Sequence, residues 1–319
     1  MKVWVVGRGG LLGRSVEQYA AIGDEIFSPN KKIMWPNIAI ASQELEKECA
    51  EFFKFVAQDD WTIFWCAGRG TLSSLLLQMN EENILFENFL NSINNATSTI
   101  RHQKGTIFFA SSAGAVYAGS KNPPFTELTE TNSLTAYGDA KMHQEELLRD
   151  LTKRSGVKVL VGRISNIYGA RQDLEKNQGL ISTICYSVLR RQPVNLFVPL
   201  ETSRNYIYVE DAAKRIVAQT RALSKAGMTE KFMVKLIVAP ENLTIGGILN
   251  IARSVLHVRP LVAVSTGQGR VTQPQSLLFK SVIKTSLDNE SETGFTVGLK
   301  KVMADLQSAF MSNGWQKPK

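Results

Sequence analysis

Cysteine is scarce: Cys49, Cys66 and Cys185 lie far apart in no paired spacing. That excludes a disulfide framework and a zinc-binding pair, so no metal is expected and a reducing compartment fits. Long hydrophobic runs are missing as well. No stretch reaches the roughly eighteen uninterrupted apolar residues of a membrane span. The opening Met1-Lys2-Val3-Trp4-Val5-Val6 runs straight into glycines and is too short for a signal-peptide core. A cytoplasmic protein with no membrane partner is expected. Internal repeats and low-complexity linkers are also absent. Charge is only mildly unbalanced: the formal net charge is +8, and basic pairs such as Lys31-Lys32, Arg190-Arg191 and Lys300-Lys301 are short and scattered. This reads as solvated faces rather than a nucleic-acid stripe, and it is compatible with an anionic small molecule.

What is present is size and rhythm. A chain of 319 residues, 44% hydrophobic, buries a substantial core as one large or two coupled domains. Short apolar runs suited to burial on both faces predict strands at 2–6, 25–27, 62–66, 105–110 and 157–161. Amphipathic stretches predict helices at 12–21, 44–57, 84–97 and 137–154, the last stopped by Ser155-Gly156. This alternation is the pattern of βαβ units around a parallel sheet. The expected class is α/β: a doubly wound, Rossmann-type parallel sheet over 1–165, with a smaller C-terminal substrate-binding lobe over 166–319 that can interleave with the sheet. Beyond about residue 260 the segment from Gly294 to Leu299 reads as a turn into a helix ending near Gln307.

Between the first predicted strand and helix stands Gly7-Arg8-Gly9-Gly10-Leu11-Leu12-Gly13. Gly7 permits a tight turn, Gly10 a close approach of backbone to pyrophosphate and Gly13 close helix–strand packing, while the N–H groups of the first helical turn, around Leu11 and Leu12, face the anion. An acidic residue at the end of the second strand would grip the adenosine ribose of NAD. Here that strand runs into Phe27-Ser28-Pro29-Asn30-Lys31-Lys32, without a carboxylate. Lys31 or Arg8 is suited to a 2′-phosphate and Asn30 remains compatible with NAD, so NADP(H) is favoured over NAD(H).

Tyr137-Gly138-Asp139-Ala140-Lys141 puts a phenol and an ammonium four residues apart, on one face of a helix. A phenol, with an ordinary pKa of about 10, becomes a more useful base beside a cation. Upstream, Ser111 and Ser112 end a strand at the sheet's carboxyl edge, where open α/β sheets bind ligands.

These motifs together resemble the extended short-chain dehydrogenase/reductase family, in its nucleotide-sugar epimerase/dehydratase branch. The resemblance runs from residue 1 to about 215, and more loosely to about 260. Besides the glycines, Tyr137 and Lys141, it rests on Ser111-Ser112-Ala113-Gly114-Ala115-Val116-Tyr117 and on Trp65-Cys66-Ala67-Gly68, which matches the segment after the family's fourth strand. It also rests on Asn88, on the segment from Gly162 through Asn166 to Gly169, and on the segment from Arg204 to Asp211.

The resemblance implies hydride exchange between a nicotinamide and a sugar carbon. Tyr137 would be the acid–base, Lys141 its partner and the ribose ligand, and Ser112, with Ser111 as substitute, the group orienting the same oxygen. Cys66, Ala67, Gly68 and Asn88 would join the cofactor site, and Asn166 and Arg204 would bind the sugar nucleotide. Ala113 stands where many relatives carry the catalytic Ser or Thr. Gly114-Ala115, or Ala113-Gly114 in a shifted register, replaces the Asp-Glu pair of sugar dehydratases, which disfavours water elimination. The expected activity is that of a 4-epimerase or 4-keto reductase of a nucleotide-activated sugar, in a chain that can pair into a homodimer. The alternatives are a non-catalytic NADP-binding sensor or interaction protein of the same fold, and a reductase of a non-nucleotide ketone.

Overall fold

The computed structural model describes residues 1–98, 104–174, 179–225, 227–264, 274–285 and 292–312. Its centre is a six-stranded parallel sheet built from β1 (Lys2–Val6), β2 (Glu25–Ile26), β3 (Trp61–Trp65), β4 (Gly105–Ser112) and β5 (Lys158–Ile164), completed by residues 232–237 from much later in the chain. Around it run α1 (Leu11–Ala20), α2 (Ile38–Val56), α3 (Leu76–Ser98), the one-turn α4 (Ala113–Val116) and α5 (Ala136–Ser155). The chain then forms β6 (Asn166–Tyr168), α6 (Leu180–Arg190), β7 (Val194–Leu196), β8 (Ser203–Tyr208) and α7 (Val209–Ser224), before that sixth sheet strand, β9 (Phe232–Ile237). It ends with β10 (Asn242–Thr244), α8 (Ile245–Leu256), β11 (Val262–Val264), β12 (Ser276–Leu277) and α9 (Phe295–Ser312).

The spatial order β2-β1-β3-β4-β5-β9 reverses direction between β1 and β3, which opens a ligand crevice at their carboxyl ends. Trp65-Cys66-Ala67-Gly68 therefore follows the third strand of this chain, not a fourth, because α2 leads directly from β2 to β3.

Alternating side chains load the two faces differently. Trp4, Trp61, Trp65, Phe86, Phe89 and Phe109 fill the layer under α2, α3 and α5, with the Trp65 and Phe89 ring centroids 4.7 Å apart. Val3, Val5, Val16, Leu160, Ile207 and Ile216 belong to a more aliphatic layer under α1 and α7. Burial of each large side chain stabilises the fold by roughly 1.5–3 kcal/mol, which explains why the central strands read as unbroken apolar runs.

Helix α5 follows the expectation closely. The Thr135 hydroxyl caps it by accepting from Gly138 N at 3.1 Å, and Gly156, at φ 74°, ends it. Helices α2 and α3 begin six and eight residues before their predicted starts. Asn37 caps α2 by accepting from Ile40 N at 3.1 Å. In the lobe, β8 lies between β10 and β12 and also pairs β6, while β7 pairs β11; α6, α8 and α9 cover a separate apolar cluster. The expected late helix is α9, which runs to Ser312.

Candidate active site

The glycine loop closes over the end of β3. Gly7, at φ 90°, lies so near the next loop that a Cβ there would sit 2.6 Å from Ala67 N; a Cβ on Gly13 would strike the Gly7 carbonyl. Gly10, by contrast, has only the Gly7 oxygen, 3.4 Å away, near its would-be Cβ, and no side chain caps the first turn of α1. That leaves the Gly10–Leu11–Leu12 edge for an anion. Cys66 N is tied to the Val6 carbonyl at 2.9 Å, and burial pushes the Cys66 thiol up, away from reactivity.

At the end of β2, the Arg8 guanidinium donates to Ser28 Oγ at 3.0 Å and pairs with Glu17 at 2.6 Å. The Asn30 and Lys31 side chains are exposed, while their backbone N–H groups donate to the carboxylate of Glu48 at 3.1 and 3.2 Å. Glu48, buried on α2, thus fixes this loop from below and projects no charge into the crevice. Beside the crevice is a cavity of about 370 Å³ lined by Trp35, Trp65, Gly68, Arg69, Met79 and Glu82 among others. Sequence reading did not single out Trp35 or Glu82.

Tyr137, in the first turn of α5, packs its ring on Gly70; a Cβ there would lie 2.7 Å from Tyr137 Cδ2. Lys141 is 3% exposed, and its ammonium lies 5.7 Å from the Tyr137 ring centroid and 4.9 Å from that of Phe109. It donates to Gln144 Oε1 at 3.1 Å and lies 3.6 Å from Glu82, whose other oxygen accepts from Arg69 N and Gly70 N. Glu82 therefore joins the lysine to the loop after β3. Gln144 in turn donates to Asn83 at 2.9 Å. Asn83 is thus the α3 asparagine that faces this chain of contacts. Asn88 is exposed on the other side of the helix and donates to Ser42 of α2, a correction to the sequence expectation: five residues along an α-helix rotate a side chain well off the face of Asn83.

The two serines at the end of β4 separate cleanly. Ser111 is buried and donates to Glu145 at 2.6 Å; Glu145 is held by Arg163 of β5, also at 2.6 Å, and Arg163 donates to the Tyr117 hydroxyl. The Ser111 hydroxyl proton is thus engaged by the scaffold. Ser112 is half-buried, and its side chain does not cap α4.

Across the carboxyl edge, Asn166 donates to the Asn205 carbonyl at 2.9 Å. Arg204 is buried and donates to the carbonyls of Ser203 and Gln275, at 2.9 and 3.3 Å, with no carboxylate among the described residues paired to it. Burial lowers its pKa, the expected response of a desolvated cation without a counter-ion. The lobe thus presents an uncompensated guanidinium, and the sheet a phenol, an ammonium and a hydroxyl. Among the described residues there is no cluster suited to a metal and no helix long and apolar enough to cross a membrane.

Comparison with known proteins places the chain in a family. The chain is 35% identical over 105 residues to a dTDP-4-dehydro-6-deoxyglucose reductase of Escherichia coli, covering 33% of each protein. It is 29% identical over 153 residues, 44% of each protein, to a UDP-glucose 4-epimerase of Azospirillum brasilense. The matches thus span well under half the length of these curated relatives. In fold it is similar to the UDP-glucose 4-epimerase of Thermus thermophilus crystallised with NAD, with a TM-score of 0.77 at 20% identity, covering 97% of this chain and 100% of that one. Residues 42–234 match the profile of the NAD dependent epimerase/dehydratase family, and the chain belongs to that family.

Proposed function

We propose that this protein is an NAD(P)-dependent oxidoreductase or epimerase acting at C4 of a nucleotide-activated sugar. The observation that carries the reading is the meeting of Tyr137 and Lys141 against the loop of Gly68 and Gly70, which is one chain turn from the wall of the glycine loop. The fit to a dinucleotide is supported by the uncapped first turn of α1 and the open face of Gly10. A bound nicotinamide would accept or return the hydride of the sugar carbon.

In the oxidising direction Tyr137 takes the proton of the C4 hydroxyl; in the reducing direction it returns that proton to the carbonyl oxygen. Lys141, held by Gln144 and Glu82, sets its side-chain nitrogen beside the phenol and would bind the cofactor ribose. Ser112 orients the same oxygen, and Asn166 and Arg204 hold the sugar nucleotide, the guanidinium taking its diphosphate through charge-assisted hydrogen bonds. NADP(H) is our preferred cofactor: the loop after β2 bears Asn30 and Lys31 and is met at Ser28 by Arg8 of the glycine loop, while Glu17 is paired to Arg8 and Glu48 accepts from backbone.

The test is Tyr137→Phe assayed on UDP- and dTDP-sugars, together with the mass of the dinucleotide that co-purifies. Turnover should fall by about 10²–10⁴-fold while cofactor affinity stays near wild type; unchanged turnover would refute the assignment. Tightly retained cofactor marks an epimerase, and exchangeable NADPH a reductase.

A further inference from the structure

Three of the basic residues that look scattered along the sequence are brought to one corner by the fold. Residues 179–200 contain Arg190 and Arg191 and no acid; residues 242–285 contain five Lys or Arg and no acid. They meet where β7 and β11 pair in parallel, with Val194 beside Val262 and Val194 N donating to the Leu261 carbonyl at 2.8 Å. Because the two strands start together, the chain ends of α6 and α8 that feed them arrive at one corner, bringing Arg191, Arg253 and Arg259 with them.

All three arginines are exposed, and none is ion-paired to a carboxylate among the described residues. Cations in the last turn of a helix complement its dipole, which accounts for Arg253 of α8. It does not account for Arg259, beyond the helix. Nor does it account for the aliphatic side chains interleaved with the charges: Leu261 is 56% exposed, Val264 51% and Val262 38%. β11 is exposed along its whole length although its neighbour β7 is two-thirds buried.

We propose that this corner of the lobe is a docking surface for an anionic bilayer. Arginines without internal counter-ions pair with lipid phosphates, and the exposed valines and leucine enter the boundary between headgroups and acyl chains. A nucleic acid would be met by a series of stacking side chains, whereas β11 has none and the adjoining β7 end offers Phe197 alone among the described residues. Steering of an anionic substrate would need the charges but not the aliphatic strip. The inference is independent of the reaction assigned above.

The full chain should sediment with vesicles of equal parts phosphatidylglycerol and phosphatidylcholine. With pure phosphatidylcholine, or at high salt, binding should be weaker by about tenfold or more. Arg253→Glu/Arg259→Glu should abolish most of the binding. Leu261→Ser/Val262→Ser should weaken it severalfold with the salt dependence retained, and both variants should keep the wild-type circular dichroism and melting temperature. Three results would overturn the proposal: no binding to the anionic vesicles, binding that survives the charge reversal in folded protein, or a Leu261→Ser/Val262→Ser variant that binds like wild type. If the charge reversal lowers kcat/KM for a sugar nucleotide while no variant binds vesicles, the surface steers substrate and the bilayer assignment falls.

Discussion

Two arginines, Arg163 on β5 beside Glu145 and Arg204 in the lobe, are each 8% exposed, yet they occupy opposite environments. Burial acts on both by disfavouring the charge. At Arg163 the Glu145 carboxylate more than offsets that effect, and the pKa ends above its ordinary value. At Arg204 only carbonyl oxygens and the nearby Tyr206 oppose it, and the pKa ends below. A buried charge whose counter-ion is inside the protein organises the scaffold; a buried charge without one is suited to an incoming anion. The first region therefore fixes where Ser112 and α5 stand, and the second is proposed to receive the substrate.

The sharpest way to break this contrast is to remove the counter-ion. Glu145→Leu leaves Arg163 charged and unpaired, which should cost about 3–5 kcal/mol of stability. Glu145→Leu/Arg163→Met should recover most of it, as read by denaturant unfolding. If the single variant were as stable as wild type, the pair would not organise the end of β4. The next effect is smaller and of the opposite kind. Arg204→Met should change stability far less, because no carboxylate is stranded and only the Ser203 and Gln275 carbonyls lose a donor, while affinity for a UDP- or dTDP-sugar falls by roughly 10- to 100-fold. A stability loss without an affinity loss would make Arg204 a second scaffold charge.

The two regions also differ in how far they could be read from sequence. The sheet was legible because its central strands are buried on both faces and recur between amphipathic helices. Gly7, Gly13, Tyr137 and Lys141 were legible because their spacing has a geometric meaning. The lobe was not. Its strands are two to six residues long and pair across large separations, as Ser276–Leu277 does with β8, so no local period announces them. The start of α3 was hidden by Leu75, Leu76 and Leu77, all more than 60% exposed, which break the one-face pattern of a helix. The carboxylates that hold the site together, Glu48, Glu82 and Glu145, look like ordinary helical surface residues. Only Glu145 carried a signal, four residues beyond Lys141 on the same helical face. The family profile begins at residue 42, inside α2, beyond the glycine loop and the short β2-to-α2 connection.

A subtler distinction lies in the tyrosines beside the two arginines. Burial raises the pKa of Tyr206 to about 12, with the charge of Arg204 opposing; burial also raises Tyr117, against both the charge and the hydrogen bond of Arg163. Each is neutral in the fold and ionises near pH 10 once unfolded. The stability this contributes is therefore intact below about pH 10 and lost as the pH climbs toward the folded value, near 12 for Tyr206. Tyr206→Phe should remove that part of the alkaline slope, on the order of 1 kcal/mol by pH 11, although Tyr208, also pushed up to about 12, will keep a slope of its own. Tyr117→Phe should flatten the slope less, because Arg163 already stabilises the phenolate it would form. Unfolding free energies measured from pH 8 to 11.5 would decide it: equal slopes for the two variants would mean that the guanidinium of Arg163 protects its neighbour no better than that of Arg204.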